Sequence, residues 1–358
     1  MRHRIVEEDV RNIVQGIGKP AEQLSGATVL VTGGAGFLGN YFISVLDHLS
    51  AHVLDKPCTI ISVDNFSTGV KYMLEEGPQF RTIRHNIKDL LKIDEPVDFI
   101  IHAAGIASPK FYRELKIETI DVATLGTKNM LELAKDKKIK SMLYFSSSEV
   151  YGDPDPRFVP TPETYPGNVS CTGPRANYDE SKRLGETLAV AYYEVHNIPV
   201  ESVRPFNVYG PGMRLDDYRV IPNFAANAFK GKPLPVYNAG NHTRTFCYIS
   251  DAMTGFFKVL LSDFNGEAFN VGNDDEELTI KKLATMVAEI FDNKIGISEM
   301  TGLNDAYSKS DPKRRCPDLT KLRTMLGYNP KVPLKAGLRR FIQWAAETYS
   351  YQPLLTKA

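Results

Sequence analysis

The stretch Thr28–Gly39, TVLVTGGAGFLG, joins a short apolar run to a turn that contains four glycines. Residues 28–32 predict a buried strand, and the glycines follow with the spacing G-x-x-G-x-x-G at the start of a helical pattern. In such a turn Gly33 permits a tight bend, Gly36 lets backbone N–H groups approach a pyrophosphate, and Gly39 lets helix and strand pack closely. Similar spacings also arise for steric reasons alone, so the rest of the chain has to support this interpretation.

Apolar runs alternate with amphipathic stretches on the C-terminal side of this turn. We predict strands at 28–32, 59–64, 98–103, 141–146 and 199–204, and helices at 37–49, 112–135 and 178–196. This alternation indicates an α/β fold, a Rossmann-type doubly wound parallel sheet with right-handed crossovers. We expect a helical extension at 1–25, a nucleotide-binding domain at 26–205, and a smaller C-terminal α/β substrate lobe at 206–358, with some segments of that lobe returning to the main domain.

Composition excludes several classes of protein. The 358 residues carry 43 Lys and Arg against 43 Asp and Glu, so there is no surplus of cations for bulk nucleic-acid or anionic-membrane binding. The four cysteines are scattered, and no window has the ~18–20 apolar residues that span a bilayer. His48 and His52 are four apart without a third ligand nearby, so we expect no metal site. The expectation is a cytoplasmic protein that binds neither nucleic acid nor membrane.

An acidic residue ends the second predicted strand, TIISVD. Asp64 follows Gly39 by 25 residues, where a carboxylate can accept hydrogen bonds from both hydroxyls of an adenosine ribose and repels a 2′-phosphate. Considered alone, it could equally cap the turn at 65–69. Together with the glycine turn it favours NAD over NADP, and Ala103 and Ala104 supply small residues where the nicotinamide ribose would lie.

Tyr178 and Lys182 are four residues apart and therefore share one face of a predicted helix. A nearby cation favours a phenolate, so we expect Lys182 to lower the pKa of Tyr178 from about 10 and make it a general base. The pair also occurs by chance on surfaces. One side of this helix is predicted to be buried through five apolar residues: Leu184, Leu188, Ala191, Tyr192 and Val195.

The preceding strand ends in Ser146-Ser147-Ser148-Glu149, at the sheet edge where open α/β sheets bind ligands. Ser147 or Ser148 can hydrogen-bond an alcohol or ketone oxygen beside Tyr178. Glu149 is either a solvated turn residue or a group that takes part in a second proton transfer or interacts with a charge in the site. The neighbouring hydroxyls favour the second interpretation.

These features resemble the extended short-chain dehydrogenase/reductase superfamily and, within it, the UDP-glucuronic acid decarboxylases (UDP-xylose synthases). The likeness runs from about residue 28 to residue 338. It rests on VDNFSTG at 63–69, SSEVYGDP at 147–154, GPRANYDESKR at 173–183, FNVYGPGM at 206–213, RVIPNF at 219–224, TRTFCYISD at 243–251, DPKRRCPD at 311–318 and LGYNPKVPLKAGL at 326–338.

The resemblance implies that NAD is used without net consumption to oxidise the sugar at C4, that the β-keto acid then loses its carboxylate, and that the 4-keto pentose is reduced to UDP-xylose. It implies that Tyr178 removes and returns the C4 proton and that Ser147 or Ser148 orients the C4 oxygen. It also implies that Lys182 adjusts the pKa of Tyr178 and binds the nicotinamide ribose. Glu149 would assist the chemistry at C5, and Arg315 would hold the sugar carboxylate or a phosphate.

Further contacts are implied by the resemblance alone. The additional cofactor-binding residues would be Phe37, Leu38, Asn65 and Asn86, the last standing where the family has an aspartate. The substrate-binding residues would be Ser108, Asn207, Arg219, Tyr237, Arg244 and Arg315, whose arginines could alternatively be ordinary surface groups. The helical patterns at 112–135 and 178–196 resemble the pair that forms the family's dimer interface, so we expect a homodimer.

Two other enzyme activities and one non-enzymatic role remain open at this point. A nucleotide-sugar 4-epimerase or 4,6-dehydratase would share NAD, Tyr178 and Lys182. Dehydratases also use a glutamate near Glu149, although usually beside an aspartate, where this chain has Ser148. A non-catalytic NAD-sensing protein would not require Tyr178, Lys182 and Glu149 together.

Overall fold

A seven-stranded sheet forms the centre of the computed structural model, which describes residues 3–69, 76–300 and 310–350. Its order is β11-β6-β5-β4-β1-β2-β3, and every neighbouring pair is parallel. The strands are β1 Thr28–Thr32, β2 Thr59–Asp64, β3 Phe80–Arg84, β4 Phe99–His102, β5 Ser141–Phe145, β6 Val200–Pro205 and β11 Ala268–Val271. The predicted doubly wound sheet is confirmed, and its strand order reverses between β1 and β4, which opens a crevice at their C-terminal ends.

The remaining elements surround this sheet or lie beyond it. The helices are α1 Arg4–Ile17, α2 Phe37–His52, α3 Pro109–Glu114, α4 Lys116–Lys137, α5 Ala176–His196, α6 Val220–Phe229, α7 Ile249–Leu260, α8 Ile280–Ile290, α9 Thr320–Leu326 and α10 Leu334–Thr348. The short strands are β7 Val208–Tyr209, β8 Leu234–Tyr237, β9 Thr243–Arg244, β10 Cys247–Tyr248, β12 Leu278–Thr279, β13 Ile297–Met300 and β14 Arg314–Arg315. Within the described ranges, none of these helices is long and apolar enough to cross a membrane.

Alternation of side chains along the strands produces a core on each face of the sheet. Val29 and Val31 of β1 pack in the cluster that contains α2 and α7, whereas Leu30 packs in the cluster that contains α4 and α5. Both faces are therefore covered, as is usual for parallel sheets.

The first helix is anchored to the rest of the chain through a buried carboxylate. Asp9 of α1 accepts hydrogen bonds from Tyr41 of α2 at 3.2 Å, from Tyr248 of β10 at 2.9 Å and from Arg340 of α10 at 2.8 Å. Burial raises the pKa of Asp9 to about 6, although Arg340 opposes this shift. The extension thus joins the helix after the glycine turn to α10.

Three local expectations were wrong. The predicted helix at 112–135 is two helices, α3 and α4, which are separated at Leu115, and β3 was not predicted. The buried face of α5 was misassigned, because Leu184 and Val195 are 48% and 71% exposed. The face toward the sheet instead contains small residues: a Cβ on Gly185 would lie 1.9 Å from the Tyr144 hydroxyl oxygen.

Candidate active site

Two glycines of the turn between β1 and α2, Gly33 and Gly39, have no room for a side chain. Gly33 has φ +71°, and a Cβ there would lie 2.7 Å from the backbone nitrogen of Ala104. On Gly39 a Cβ would lie 2.2 Å from the Gly33 carbonyl oxygen. Gly36 precedes Phe37 and Leu38 at the N-terminus of α2, and no side chain caps this end. The N–H groups of the first helical turn therefore suit the pyrophosphate of a dinucleotide.

Asp64 links the end of β2 to the glycine turn. One carboxylate oxygen accepts a hydrogen bond from the Ala35 N–H at 2.9 Å, and the other accepts one from the Phe66 N–H at 2.7 Å. Burial raises the pKa of Asp64, although these backbone hydrogen bonds oppose the shift. The Asp64 carboxylate therefore binds a backbone N–H of the turn that follows it and a backbone N–H of the glycine turn. Asn65 accepts from the Ser67 N–H.

Asn86 lies two residues after the end of β3, and its amide is 3.4 Å from Glu118 of α4. The Glu118 carboxylate also binds Lys88 at 2.5 Å. The amide is thus positioned by α4 at the edge of the sheet next to the strand that ends in Asp64.

A buried histidine holds the end of β4 against β1. His102 contacts the hydroxyls of Thr32 at 2.8 Å and of Thr127 at 3.1 Å through its two ring nitrogens. Burial lowers its pKa to about 3, so the imidazole is neutral at physiological pH. The Thr32 hydroxyl also accepts a hydrogen bond from Ala104 N–H at 3.2 Å. This network positions the backbone of Ala103 and Ala104, and our sequence analysis did not identify it.

Tyr178 is buried near the N-terminus of α5, and the Ser147 side chain lies close enough to favour ionisation of its phenol and so to act against the rise in its pKa. The Ser147 hydroxyl accepts a hydrogen bond from the Glu149 N–H at 3.2 Å, which leaves its own proton to donate. Burial raises the pKa of Tyr178 to about 12, and the Ser147 side chain is the largest opposing influence. The expectation that Lys182 lowers this pKa below 10 is therefore wrong for the chain by itself.

Lys182 is nevertheless directed toward the crevice from the next turn of α5. Its ammonium donates to the Phe145 carbonyl at 2.6 Å and lies 5.4 Å from the Tyr144 ring centroid. A Cβ on Gly105 would lie 3.4 Å from the Lys182 nitrogen, so the ammonium reaches the loop after β4. Burial lowers the pKa of Lys182 to about 8.

Glu149 is bound by two arginines that are distant in the sequence. The same carboxylate oxygen lies 2.6 Å from Arg175 and 2.6 Å from Arg315. Burial acts to raise the pKa of Glu149, but these two guanidinium groups outweigh it and the pKa is lowered. Glu149 is therefore ionised and is not the solvated turn residue that was the alternative.

The two arginines belong to a larger charged cluster, which we call the arginine cluster: Glu149, Arg175, Asp179, His242, Arg244, Asp311 and Arg315. Asp311 lies 2.8 Å from Arg244, 3.5 Å from Arg175 and 3.3 Å from His242. Arg244 and Arg315 are register partners on β9 and β14.

Asp179 differs from Glu149 in its ionisation. It lies 3.7 Å from Arg175, but burial and the nearby Glu149 charge raise its pKa strongly. Arg175, Asp179 and Asp311 were not singled out from the sequence. The available signal was their position in GPRANYDESKR and DPKRRCPD, where charges of both signs stand side by side.

Three other predicted substrate residues lie outside the arginine cluster. Arg219 is paired with Asp217 at 2.6 Å, and its charge acts to lower the pKa of Tyr178. Asn207 donates to the Thr245 carbonyl at 2.8 Å, beside Arg244. Tyr237 is exposed on β8, in a separate two-stranded sheet with β13.

Two further predicted serines precede Tyr178 in the sequence. Ser148 is buried at the start of a short helical turn, next to Ser147. Ser108 precedes α3, and its hydroxyl is buried without a hydrogen-bond partner within the part of the chain that the structure describes. A buried hydroxyl without a partner is uncommon in folded proteins.

A fold of this type, with a glycine cradle and a buried Tyr/Lys pair, defines a dinucleotide-dependent oxidoreductase-like enzyme. The profile of the NAD dependent epimerase/dehydratase family matches residues 29–272. The chain belongs to this family, and NAD is its cofactor.

Within the family, the chain is similar to proteins named UDP-glucuronic acid decarboxylase. It is 40% identical over 317 residues to UDP-glucuronic acid decarboxylase 5 of Arabidopsis thaliana, covering 88% of each chain. It is 37% identical over 327 residues to UDP-glucuronic acid decarboxylase 1 of Danio rerio, covering 90% of this chain and 74% of that protein. The resemblance stated from the sequence is thereby confirmed.

Solved structures agree with the fold. An epimerase of Methanothermobacter thermautotrophicus aligns with a TM-score of 0.80 at 27% identity, covering 93% of this chain and 96% of that one. A dTDP-glucose 4,6-dehydratase of Streptomyces venezuelae, solved with NAD bound, aligns with a TM-score of 0.79 at 26% identity, covering 91% and 99%.

Proposed function

We propose that this chain catalyses the NAD-dependent decarboxylation of UDP-glucuronic acid to UDP-xylose through a transient C4 ketone. The observation that carries the proposal is the arginine cluster beside Tyr178 and Lys182, because a uronic acid, unlike a neutral hexose, brings a carboxylate. Relatives named UDP-glucuronic acid decarboxylase, at about 40% identity over most of the chain, support the same activity.

The cofactor would be held by the glycine turn, by Asp64 and by Lys182. Asp64 is suited to the adenosine ribose, and the ammonium of Lys182 reaches the end of β4, where the nicotinamide ribose would lie. NAD in its oxidised form supplies a hydride acceptor that later returns the hydride, and a positive charge beside the phenol.

Tyr178 is the proposed base for the proton of the C4 hydroxyl. The Ser147 side chain and the Arg219 charge both favour the phenolate, and Lys182 lies one turn further along the same helix. The same phenol returns the proton when the ketone is reduced. Oxidation at C4 places the C5 carboxylate β to a ketone, so the electron pair left by carbon dioxide can delocalise into that ketone.

The arginine cluster is the proposed site for the sugar carboxylate. Arg315 already binds one carboxylate, that of Glu149, and a guanidinium has five N–H donors with which to bridge two acceptors. Because Glu149 is ionised and bound to two arginines, it orients them rather than acting as an acid in this arrangement.

The product formed from UDP-glucuronic acid tests the proposal. Carbon dioxide together with a UDP-pentose, identified by mass and sugar stereochemistry, is the expected result. UDP-galacturonic acid would instead show 4-epimerisation and contradict the proposal. Conversion of dTDP-glucose to a 4-keto-6-deoxy sugar, with no turnover of the uronic acid, would favour a 4,6-dehydratase.

We also propose that the chain forms a homodimer through α4 and α5. These helices pack against each other, and four apolar side chains on them are largely exposed: Ile117, Leu125, Leu184 and Val195. A second copy with the same face would bury them in a four-helix arrangement.

Sedimentation velocity tests the homodimer. Leu184→Glu combined with Val195→Glu is expected to produce monomers that keep the native circular dichroism spectrum. The matched control is Leu90→Glu, at an exposed position outside both helices, which should leave the dimer intact. A monomeric wild-type chain at micromolar concentration would contradict the proposal.

A further inference from the structure

We propose that Tyr112 is a positioning residue for Tyr178: its ring holds the phenol of the proposed base next to the Ser147 hydroxyl. The inference rests on the proposed function, since it concerns the same site. It adds a residue from α3 that our sequence analysis assigned to no role.

The two aromatic rings are stacked. Their centroids are 4.9 Å apart and their planes differ by 15°. Both side chains are buried, and together with Ile106 they form a small hydrophobic cluster separate from the two cores that flank the sheet. The Tyr178 ring is therefore packed by the loop and helix at 106–112 rather than by the main core.

Tyr112 is itself held from two directions. Its carbonyl accepts a hydrogen bond at 2.9 Å from the side chain of Asn177, the residue before Tyr178. The first turn of α3 is attached to the loop before α6, where Lys110 binds Asp216 at 2.8 Å. The stacked ring is thus fixed relative to α5 on one side and to the later part of the chain on the other.

A phenol can rotate about its side-chain bonds unless something occupies the space beside its ring. If the Tyr112 ring is removed, the Tyr178 oxygen can move away from the Ser147 hydroxyl. A displacement of ~1 Å of a reacting group typically costs about 100-fold in rate. The opened space also admits water, which reduces the burial that raises the pKa of Tyr178. We therefore expect the displacement of the Tyr178 phenol and the lowering of its pKa to occur together.

Three variants separate positioning from general packing. Tyr112→Leu removes the ring, Tyr112→Phe keeps it, and Phe111→Leu removes a ring from the same helix that does not stack on Tyr178. Each is purified with NAD, and kcat, KM and the pH dependence of kcat are measured with UDP-glucuronic acid. Thermal unfolding and the amount of NAD retained are recorded in parallel.

We expect Tyr112→Leu to lower kcat by about 10- to 100-fold with KM changed less than about threefold, to retain NAD, and to shift the tyrosine-dependent limb of the pH profile to lower pH. Tyr112→Phe and Phe111→Leu should resemble the wild type. An unchanged kcat and pH profile for Tyr112→Leu would overturn the inference, as would an equal loss in Phe111→Leu.

Crystal structures of the wild type and Tyr112→Leu make the test independent of turnover. The expected result is a Tyr178 hydroxyl displaced from Ser147 in the variant only. A wild-type chain that makes no pentose would refute the proposed function, whereas an unmoved Tyr178 in the variant would refute the positioning role by itself.

Discussion

Replacing Glu149 with glutamine would leave two buried guanidinium groups facing a neutral amide. Arg175 and Arg315 are only 8% and 9% exposed, and each lies 2.6 Å from the same Glu149 oxygen. Removing one partner from a buried ion pair typically costs about 3–5 kcal/mol, because the remaining desolvated charge loses its nearest counterion; after this change Arg175 keeps the more distant Asp311, at 3.5 Å. We expect Glu149→Gln to lower the free energy of unfolding by about that amount.

Removing one of the two arginines as well should recover part of the loss. In Glu149→Gln/Arg175→Met the repulsion between Arg175 and Arg315 disappears, and Arg315 remains beside its register partner Arg244. We expect the double variant to be more stable than the sum of the single changes predicts, by about 2 kcal/mol. The four proteins of this cycle would be compared by urea unfolding at pH 7.

An exposed ion pair of the same length provides the control. Arg157 lies 2.6 Å from Asp155 on the surface, where water and salt screen both charges. The corresponding cycle, Asp155→Asn with Arg157→Met, should show additive changes. Additive changes at Glu149 and Arg175 as well would refute the reasoning, since they would mean that the buried carboxylate does not compensate the two arginines.

Three further outcomes are expected. Tyr178→Phe should bind NAD by calorimetry as the wild type does and lose turnover, and unchanged turnover would remove the phenol from its proposed role. Gly33→Ala should lose NAD binding, because at φ +71° its Cβ would meet the Ala104 backbone at 2.7 Å; normal affinity would contradict this. Burial raises the pKa of Glu201 from 4.5 to about 8, so the folded chain keeps a proton that the unfolded chain releases near pH 4.5. Wild-type stability should therefore fall as pH rises between these values, and Glu201→Gln should reduce that fall by on the order of 3 kcal/mol at pH 7, while Asp179, whose pKa is also raised, keeps its own contribution. A Glu201→Gln variant whose free energy of unfolding changes between pH 5 and pH 8 as much as that of the wild type would contradict this.

The strands and the glycine turn were accessible from sequence because their signals are local, and the alternation of strands with helices then indicates a parallel sheet. A strand of five residues followed by glycines at fixed spacing predicts such a turn from adjacent residues alone, and the structure places this strand inside the sheet, between β4 and β2. The buried face of α5 was not accessible in this way. Leu184 and Val195 have the chemistry of core residues, but the space toward the sheet is occupied by the Tyr144 ring opposite Gly185.

Residue types and their spacing determined the cofactor class, the Tyr178/Lys182 pair and the presence of a glutamate after the third serine. Tertiary structure alone decided which charges those residues carry and which residues they meet. Glu149 and Arg315 are 166 positions apart, and Glu149 and Asp179 share one arginine yet have pKa values shifted in opposite directions. The physical reason is that ionisation depends on burial and on the nearest charges, and both are properties of packing between distant segments rather than of sequence spacing.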